Sequence, residues 1–410
     1  MKVLHLVAGE LTGGAARGAY WLHRGLREIG VDSHVLTSGR ETYGDPSVTS
    51  LCKSGADKVR FALSNRMANL PIHLYRKRQG LIYNTGVNGI DITRHPLYES
   101  ADIIHLHWIN GLVSMHSLRK VKKPLIWTMR DMWPMTGGCH VALECDGYRG
   151  GCGKCPQLGS KMAYDLSRAV FMYKKQMLPT NAIMVGISNW ISGCARESKL
   201  FCKHRVITIS NNIDTQEFSP IVKGVAKTLL SLPEGKKIIL LGSTNIADPW
   251  KGFDLFKTAL EYLDKSKIHL MVFGKASSQS LSGLGVSYSL LGVVTDTLSL
   301  RAAYSAADLY VAPYRMDSFG KTLAESMSCA TPVVCFDASG PKDIVEHKVS
   351  GYKAKPFDSR DLADGMQWML SASEDVYSVL CENARLRAVA KFDSLVIARK
   401  YKALYEEVEK

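Results

Sequence analysis

The sequence predicts an α/β protein built from two doubly wound, Rossmann-like parallel-sheet domains. Three observations carry that expectation. Short apolar runs alternate with stretches of helical spacing, and such alternation builds parallel sheets covered on both faces. The alternation comes in two separate series. At 410 residues, the chain is also too long for one ordinary hydrophobic core.

The first series opens with a strand at Lys2–Ala8 and a helix at Ala15–Ile29, where Ala19, Leu22, Leu26 and Ile29 fall at helical spacing. Ser33–Thr37, Ile103–Trp108, Pro124–Met129 and Ile183–Ile187 read as further strands. The second series starts with a strand at Lys237–Leu241 and a helix at Phe253–Tyr262. A strand at Ile268–Phe273, a helix at Thr297–Ser305 and a strand at Leu309–Pro313 follow, the last ended by proline. Leu323–Met327 has helical spacing, and another strand begins within Cys329–Val334. Pro220, Gly224 and Pro233 interrupt the pattern, which divides the chain into domains over 1–219 and 220–391. Phe392–Val408 reads as a final helix. In doubly wound sheets, ligands bind at the carboxyl ends of the strands.

Composition is that of a globular protein, 46% hydrophobic and 22% charged. No stretch approaches the roughly 18–20 apolar residues of a membrane span. The opening Met1–Ala8 is too short an apolar run for a signal peptide and leads straight into Gly-Glu-Leu-Thr-Gly-Gly. The expectation is a cytoplasmic protein. Net charge is +14, and the first half carries it: residues 1–210 hold 28 Lys and Arg against 14 Asp and Glu, whereas residues 211–410 hold 24 against 24. Basic clusters stand at Arg76-Lys77-Arg78 and at Arg119-Lys120-Val121-Lys122-Lys123. Ile72, Leu74, Tyr75, Leu81 and Tyr83 flank the first. Basic residues interleaved with apolar and aromatic ones suit the surface of an anionic membrane. A nucleic-acid face would also be basic, but no zinc-finger, RNA-recognition or helix-turn-helix pattern accompanies it, and no nucleic acid is expected as a partner. Ordinary solvated lysines are the plain alternative.

Two strand ends carry chemistry. Asp317-Ser318-Phe319-Gly320-Lys321-Thr322-Leu323-Ala324-Glu325 places one acid on a loop and a second in the following helix. A strand, a loop and a helix N-terminus present backbone N–H groups and the helix dipole to an anion. If the helix begins near Ser318, Glu325 lies about two turns in, where a carboxylate can accept hydrogen bonds from a diol such as ribose. Alternatively, Asp317 merely caps the helix and Glu325 is solvated. Near the N-terminus, Gly9-Glu10-Leu11-Thr12-Gly13-Gly14-Ala15 joins the first strand to the first helix. Small residues there let a phosphate approach the backbone. The pattern is not G-x-G-x-x-G, which weakens a nicotinamide or flavin reading.

The acid-x7-acid block 317–325 resembles the signature of the retaining glycosyltransferases of family four, which have the GT-B fold. Asp317 stands where that family usually has glutamate. Gly-Gly-Ala at 13–15 resembles the family's first loop, which places Gly14 nearest the donor pyrophosphate. Lys251-Gly252 matches its Lys-Gly pair, while Ser243 stands where arginine is usual. Ile209-Ser210-Asn211-Asn212-Ile213-Asp214 through Phe218-Ser219-Pro220 is similar to its Pro-Asn-Gly-x-Asp…Phe-x-Pro linker, with Ser210 and Asn212 replacing the proline and glycine. Asn212 tolerates the positive φ that glycine would supply.

The resemblance implies a cleft between the two domains and a last segment, 392–410, that crosses back onto the first. It implies transfer of a hexose from a nucleotide-diphosphate sugar with the anomeric configuration kept. Glu325 would hold the ribose hydroxyls; Lys251, Gly14 and the amides of Ser318, Phe319 and Gly320 would lie near the diphosphate; Asp317 would bind hydroxyls of the donor sugar. The leaving phosphate itself would deprotonate the acceptor, so no cofactor is required for catalysis. Where the family commonly carries histidine before aspartate, this chain has Arg130-Asp131. Arginine is not a proton acceptor. Arg130 would either stabilise the departing diphosphate or shape the acceptor pocket, with Asp131 or His107 making the sugar contact.

Cys139, Cys145, Cys152 and Cys155 form a C-x5-C-x6-C-x2-C cluster within a glycine-rich loop, 136–158. In a reducing compartment, clustered thiols favour tetrahedral zinc. Two disulfides, free thiols and an iron–sulfur centre are the alternatives. With Thr136-Gly137-Gly138-Cys139-His140, the loop resembles a colanic-acid subgroup of family four, in which a structural zinc would clamp a loop beside the acceptor.

The basic first half points to a lipid-linked glycan acceptor in exopolysaccharide, capsule or O-antigen synthesis, with the enzyme peripheral at the inner face of the membrane. Two rivals stand beside it. One is a catalytically inactive GT-B protein that binds sugar nucleotide or scaffolds a complex, favoured by Ser243 and Arg130. The other is a binder of nucleic acid or another polyanion.

Overall fold

The structure is a computed structural model that describes residues 1–40 and 43–409. It divides into two compact units, Met1–Ser210 with Leu395–Lys410, and Asn211–Ser394. The division thus falls after Ser210 rather than at 219–220. The Asn211–Phe218 segment stays with the second unit through a bridge between Ile213 and Asp393 and a Thr215 hydroxyl bond to Asp393 Oδ2 at 2.5 Å.

The first unit holds a seven-stranded sheet of order β3-β2-β1-β4-β5-β6-β7. Its strands are β1 (Lys2–Val7), β2 (Asp32–Thr37), β3 (Val48–Ser50), β4 (Ile103–Leu106), β5 (Leu125–Met129), β6 (Ile183–Gly186) and β7 (Val206–Thr208). The second unit holds six strands of order β10-β9-β8-β11-β12-β13. These are β8 (Lys237–Asn245), β9 (Ile268–Lys275), β10 (Ser287–Gly292), β11 (Leu309–Ala312), β12 (Val333–Phe336) and β13 (Gly351–Ala354). Every pairing is parallel. The order turns about β1 in one sheet and β8 in the other, so each unit is doubly wound. The central strands are buried on both faces, as β4, β5, β11 and β12 show along their whole length. That burial explains why they read as continuous apolar runs.

Helix α1 (Gly14–Glu28) packs Ala19, Leu22 and Leu26 inward. The second helix, α2 (Gly55–Ala68), has a capping box between Ser54 and Asp57 but no buried residue. The helix expected over 392–408 starts at Ser394: Glu374–Phe392 and Ser394–Glu409 are separate helices, broken where Asp393 adopts φ −57°, ψ 140°. The second of these belongs to the first unit. Its Ile397, Ala398, Tyr401 and Tyr405 complete a core with Val3, Ile103 and Ile126.

That core is not purely apolar. His5, His23, His105 and His107 are all buried, and burial lowers the pKa of each. His23 is held between the hydroxyls of Ser33 and Ser47, at 2.8 and 2.9 Å. Burial pulls its pKa from 6.5 to about 4, although Asp45 acts in the opposite sense. In the unfolded chain the same ring takes up a proton near pH 6.5. Between these two values the unfolded state binds the extra proton, so the stability is present above pH 6.5 and lost as pH falls towards 4. The loss is about 3 kcal/mol from His23 alone. Thermal unfolding followed by circular dichroism should show the midpoint falling across that window, with a shallower fall in His23→Gln. A midpoint flat from pH 6.5 to 4 would contradict this account.

Candidate functional site

Candidate residues lie at strand ends in both units, and each set stands on its own. In the second unit, β11 runs into Pro313, and the chain turns through Tyr314–Phe319 to the helix Lys321–Ser328. Gly320 is the N-cap of that helix, with left-handed backbone at φ 96°. The helix therefore begins at Lys321, and Glu325 lies about one turn in, not two. Glu325 is 3% exposed, which removes the solvated alternative. The Tyr304 hydroxyl donates to its Oε2 at 2.8 Å, and Lys321 Nζ stands 3.5 Å from Oε1.

Asp317 closes the loop ahead of the helix. Its Oδ1 accepts from the amides of Phe319 and Gly320, at 3.1 and 2.9 Å. Two of the amides expected near a diphosphate are thus occupied by Asp317 itself. Its Oδ2 accepts from Lys251 Nζ at 2.7 Å. Burial pushes the Asp317 carboxyl up, but the Lys251 ammonium and the two amides outweigh it and hold the carboxyl below its usual range. Burial works against the Lys251 ammonium too, and Asp317 and Tyr314 more than restore it. Both groups are charged. Gly252 fixes this lysine's place: it has φ 64°, and a Cβ there would come 1.9 Å from the carbonyl of Pro313. Only glycine fits.

The tyrosines around this loop escaped the sequence reading. Tyr310 and Tyr314 both donate to the Gly242 carbonyl, at 2.6 and 2.8 Å. Lys251 Nζ sits 4.1 Å over the Tyr314 ring. Tyr310 and Tyr314 flank the strand end in sequence, and that clustering was the available signal. Ser243 lies within β8; its hydroxyl is buried and has no hydrogen-bond partner among the described residues.

In the first unit, α1 begins at Gly14 with Gly13 as N-cap, and no side chain caps it. A Cβ on either glycine would meet nothing within 4 Å. Both glycines are exposed, so a phosphate can approach this helix N-terminus.

Arg130 follows β5 directly and is buried. Burial lowers its pKa to about 10, so it stays a cation. Its Nη2 lies 3.3 Å from His107 Nδ1. Guanidinium only donates, so that ring nitrogen accepts and the His107 proton resides on Nε2. Nε2 in turn is 3.0 Å from His5 Nδ1. Both nitrogens of His107 are thereby engaged. Asp131 is also committed: its Oδ2 meets His140 Nδ1 at 2.7 Å and Trp108 Nε1 at 3.0 Å, and its Oδ1 accepts from the Trp133 amide at 2.8 Å.

His5, His105 and His107 offer ring nitrogens within 4.8 Å of one another. The donor set does not suit a metal. The Arg130 guanidinium adjoins His107, and both nitrogens of His105 are held by the hydroxyls of Tyr405 and Thr128, at 2.6 and 2.7 Å. The four clustered cysteines lie between β5 and the helix Leu166–Met177 and line one small cavity.

Comparison with known proteins fits this architecture. Residues 235–372 match the family model described as glycosyl transferases group 1. The chain is 25% identical over 363 residues to the colanic acid biosynthesis glycosyl transferase WcaC of Escherichia coli (strain K12), covering 84% of this chain and 85% of that protein. It is 25% identical over 340 residues to the D-inositol 3-phosphate glycosyltransferase of Geodermatophilus obscurus, covering 75% and 67%. Among solved structures, sucrose-phosphate synthase from Thermosynechococcus elongatus superposes with a TM-score of 0.69 at 19% identity, over 99% of each chain. Anabaena HepE, in complex with UDP and glucose, gives 0.65 at 16% identity, again over 99% of each. The chain therefore has the GT-B fold, two Rossmann-like parallel-sheet domains, and its second unit carries a glycosyl transferases group 1 domain.

Proposed function

We propose that this chain is a retaining hexosyltransferase that moves a hexose from a nucleotide-diphosphate sugar to a lipid-linked glycan acceptor. The product would be an exopolysaccharide, capsule or O-antigen repeat. One observation carries the reading: the buried Glu325, fixed by Tyr304 one turn into the helix that follows the Asp317 loop of the group 1 domain. A carboxylate so held keeps lone pairs for a ribose diol.

The Lys251–Asp317 pair gives the donor site an exchange. Phosphate oxygens compete with Asp317 Oδ2 for the Lys251 ammonium. As the diphosphate takes the lysine, Asp317 is freed to accept from hydroxyls of the donor sugar. The open N-terminus of α1 at Gly14 offers amides to an anion. Arg130 supplies a permanent positive charge to an anionic substrate group, and His107, backed by His5, holds it in place rather than touching the sugar. The leaving phosphate takes the acceptor proton, so the protein contributes orientation and electrostatics. Lys251 serves the diphosphate without a catalytic metal.

UDP-sugars come first among donors, because HepE is known in complex with UDP and glucose. In thermal-shift and turnover assays over UDP-, GDP-, ADP- and dTDP-sugars, one nucleotide family should stabilise the protein. Glu325→Ala should raise the donor KM about 10- to 100-fold, the loss of a charged hydrogen bond. If no sugar nucleotide binds the wild type, the polyanion reading takes precedence. Binding without turnover favours the inactive one.

The membrane reading finds support on α2. Val59, Leu63 and Met67 recur along one stripe at 67, 55 and 66% exposure, and Leu70 and Leu74 extend it. Lys58, Arg60 and Arg66 on α2 are exposed too, as are Arg76, Lys77 and Arg78 beyond it. Of the expected flank, Tyr83 is instead buried against the cysteine loop, donating to the Gly137 carbonyl at 2.5 Å. Half of the second basic cluster is committed: Lys120 pairs with Asp91, and Lys123 bonds the carbonyls of Tyr98 and Glu99. Sedimentation with phosphatidylglycerol-containing vesicles should pull the protein down. Neutralising Arg76, Lys77 and Arg78 should weaken binding about fivefold for each charge, and Leu63→Gln should weaken it further. Equal sedimentation of wild type and variants would remove this face from the proposal.

A further inference from the structure

The cysteine loop, 136–158, is not used by the reaction above, yet it is built with unusual care. Cys139, Cys145, Cys152 and Cys155 all line one cavity of about 20 Å³. That is room for about one atom-sized occupant. All four are free cysteines. The chain around the last pair takes a run of left-handed residues: Gly151, Cys152, Gly153 and Lys154, at φ 98°, 61°, 102° and 48°. Left-handed backbone at a non-glycine residue is strained, and here two such residues lie in one tight turn. Gly137 N donates to Cys152 Sγ at 3.2 Å. Burial pushes the Cys152 and Cys155 thiols up, so without a metal ion they are neutral.

A second feature is independent of the cysteines' own geometry. Lys174 is buried at 0% exposure. Its ammonium donates to the carbonyls of Trp133 and Thr136 and lies 3.5 Å over the Trp133 ring. Among the described residues it makes no ion pair with a carboxylate. A buried charge without a counter-charge is costly. This lysine is tied to the cysteine loop through the backbone: it holds the Thr136 carbonyl, and the amide of the next residue, Gly137, donates to Cys152 Sγ. Neutral thiols do not provide that charge. Four metal-bound thiolates do, since with a divalent ion they carry a net negative charge.

We infer that Cys139, Cys145, Cys152 and Cys155 form a structural site for a single thiophilic divalent cation, zinc, with Lys174 as its buried counter-charge. The sulfurs surround the cavity more widely than the histidine nitrogens surround theirs, so the ion would draw the side chains inward as it binds and expels the thiol protons. Closed four-sulfur coordination leaves no open position, so the ion holds the loop and takes no part in transfer. This inference stands whether or not the chain transfers sugar.

The test is metal content. Protein purified under reducing conditions should carry one zinc per chain by plasma mass spectrometry, and cobalt exchange should give a thiolate-to-metal charge-transfer band. Cys152→Ser and Cys155→Ser should lose the ion, and Cys202→Ser, an exposed cysteine elsewhere, should keep it. Lys174→Gln should lower zinc affinity about 10- to 100-fold, as loss of a supporting group does. Should the cysteine variants fail to fold, alkylation of the wild type decides: the four thiols should react only after a chelator is added. Protein without zinc that takes up neither zinc nor cobalt overturns the site, as would an iron–sulfur spectrum or disulfides found by mass spectrometry.

Discussion

Parallel strand pairing is the constraint on which the rest depends. Because each strand runs the same way as its neighbours, all the carboxyl ends of a sheet come to one edge, and the loops that leave them share that edge. In the second unit this brings the turn after β11 beside the segment after β8. Lys251 and Asp317, 66 residues apart in sequence, meet there at 2.7 Å. In the first unit the same rule puts His107 and Arg130 side by side, since β4 and β5 pair in parallel with His105 opposite Ile126. The register also decides which residues share a face. His5 stands opposite His105, and His107 follows two residues on. The histidine cluster is thus a consequence of strand alternation.

Much of the fold was legible because buried parallel strands announce themselves as apolar runs. The strands at Lys2, Ile103, Leu125, Ile183, Lys237, Ile268 and Leu309 were all visible in this way. The short edge strands β3, β7 and β13 were not. They have three or four residues, are only partly buried, and carry too little pattern to separate from loop. The start of the last helix was placed two residues early, at Phe392, for a different reason: helical spacing continues across Asp393, and only tertiary contacts distinguish the two sides. Phe392 packs on Phe319 in the second unit, while Tyr401 and Tyr405 reach Thr128 and His105 in the first.

The candidate site shows the same division. Glycines whose backbone forbids any side chain, such as Gly252, could be singled out from their place beside a lysine. The acids at 317 and 325 could be singled out from their spacing. What each acid touches could not. Asp317 spends one oxygen on its own loop's amides and the other on Lys251. Glu325 depends on Tyr304, from a different helix. Such partners are set by packing between elements distant in sequence, and no local pattern records them.

The buried cations give the last step. Burial disfavours the charged form of each, and each answers it differently. Lys251 has a carboxylate at hydrogen-bond distance and remains protonated through that pair. Arg130 has such a high intrinsic pKa that burial leaves it charged against a neutral imidazole. Lys174 has neither advantage: burial brings its pKa down to about 7 although Cys139, Cys152 and Asp131 act in the opposite sense. An ammonium so placed is stable either by giving up its proton or by gaining a negative neighbour. Its direct contacts are two carbonyls and the Trp133 ring, none of which carries charge. The thiolates of the zinc site proposed for the same loop would supply that negative charge, and for that reason the lysine and the cysteines are proposed as one arrangement.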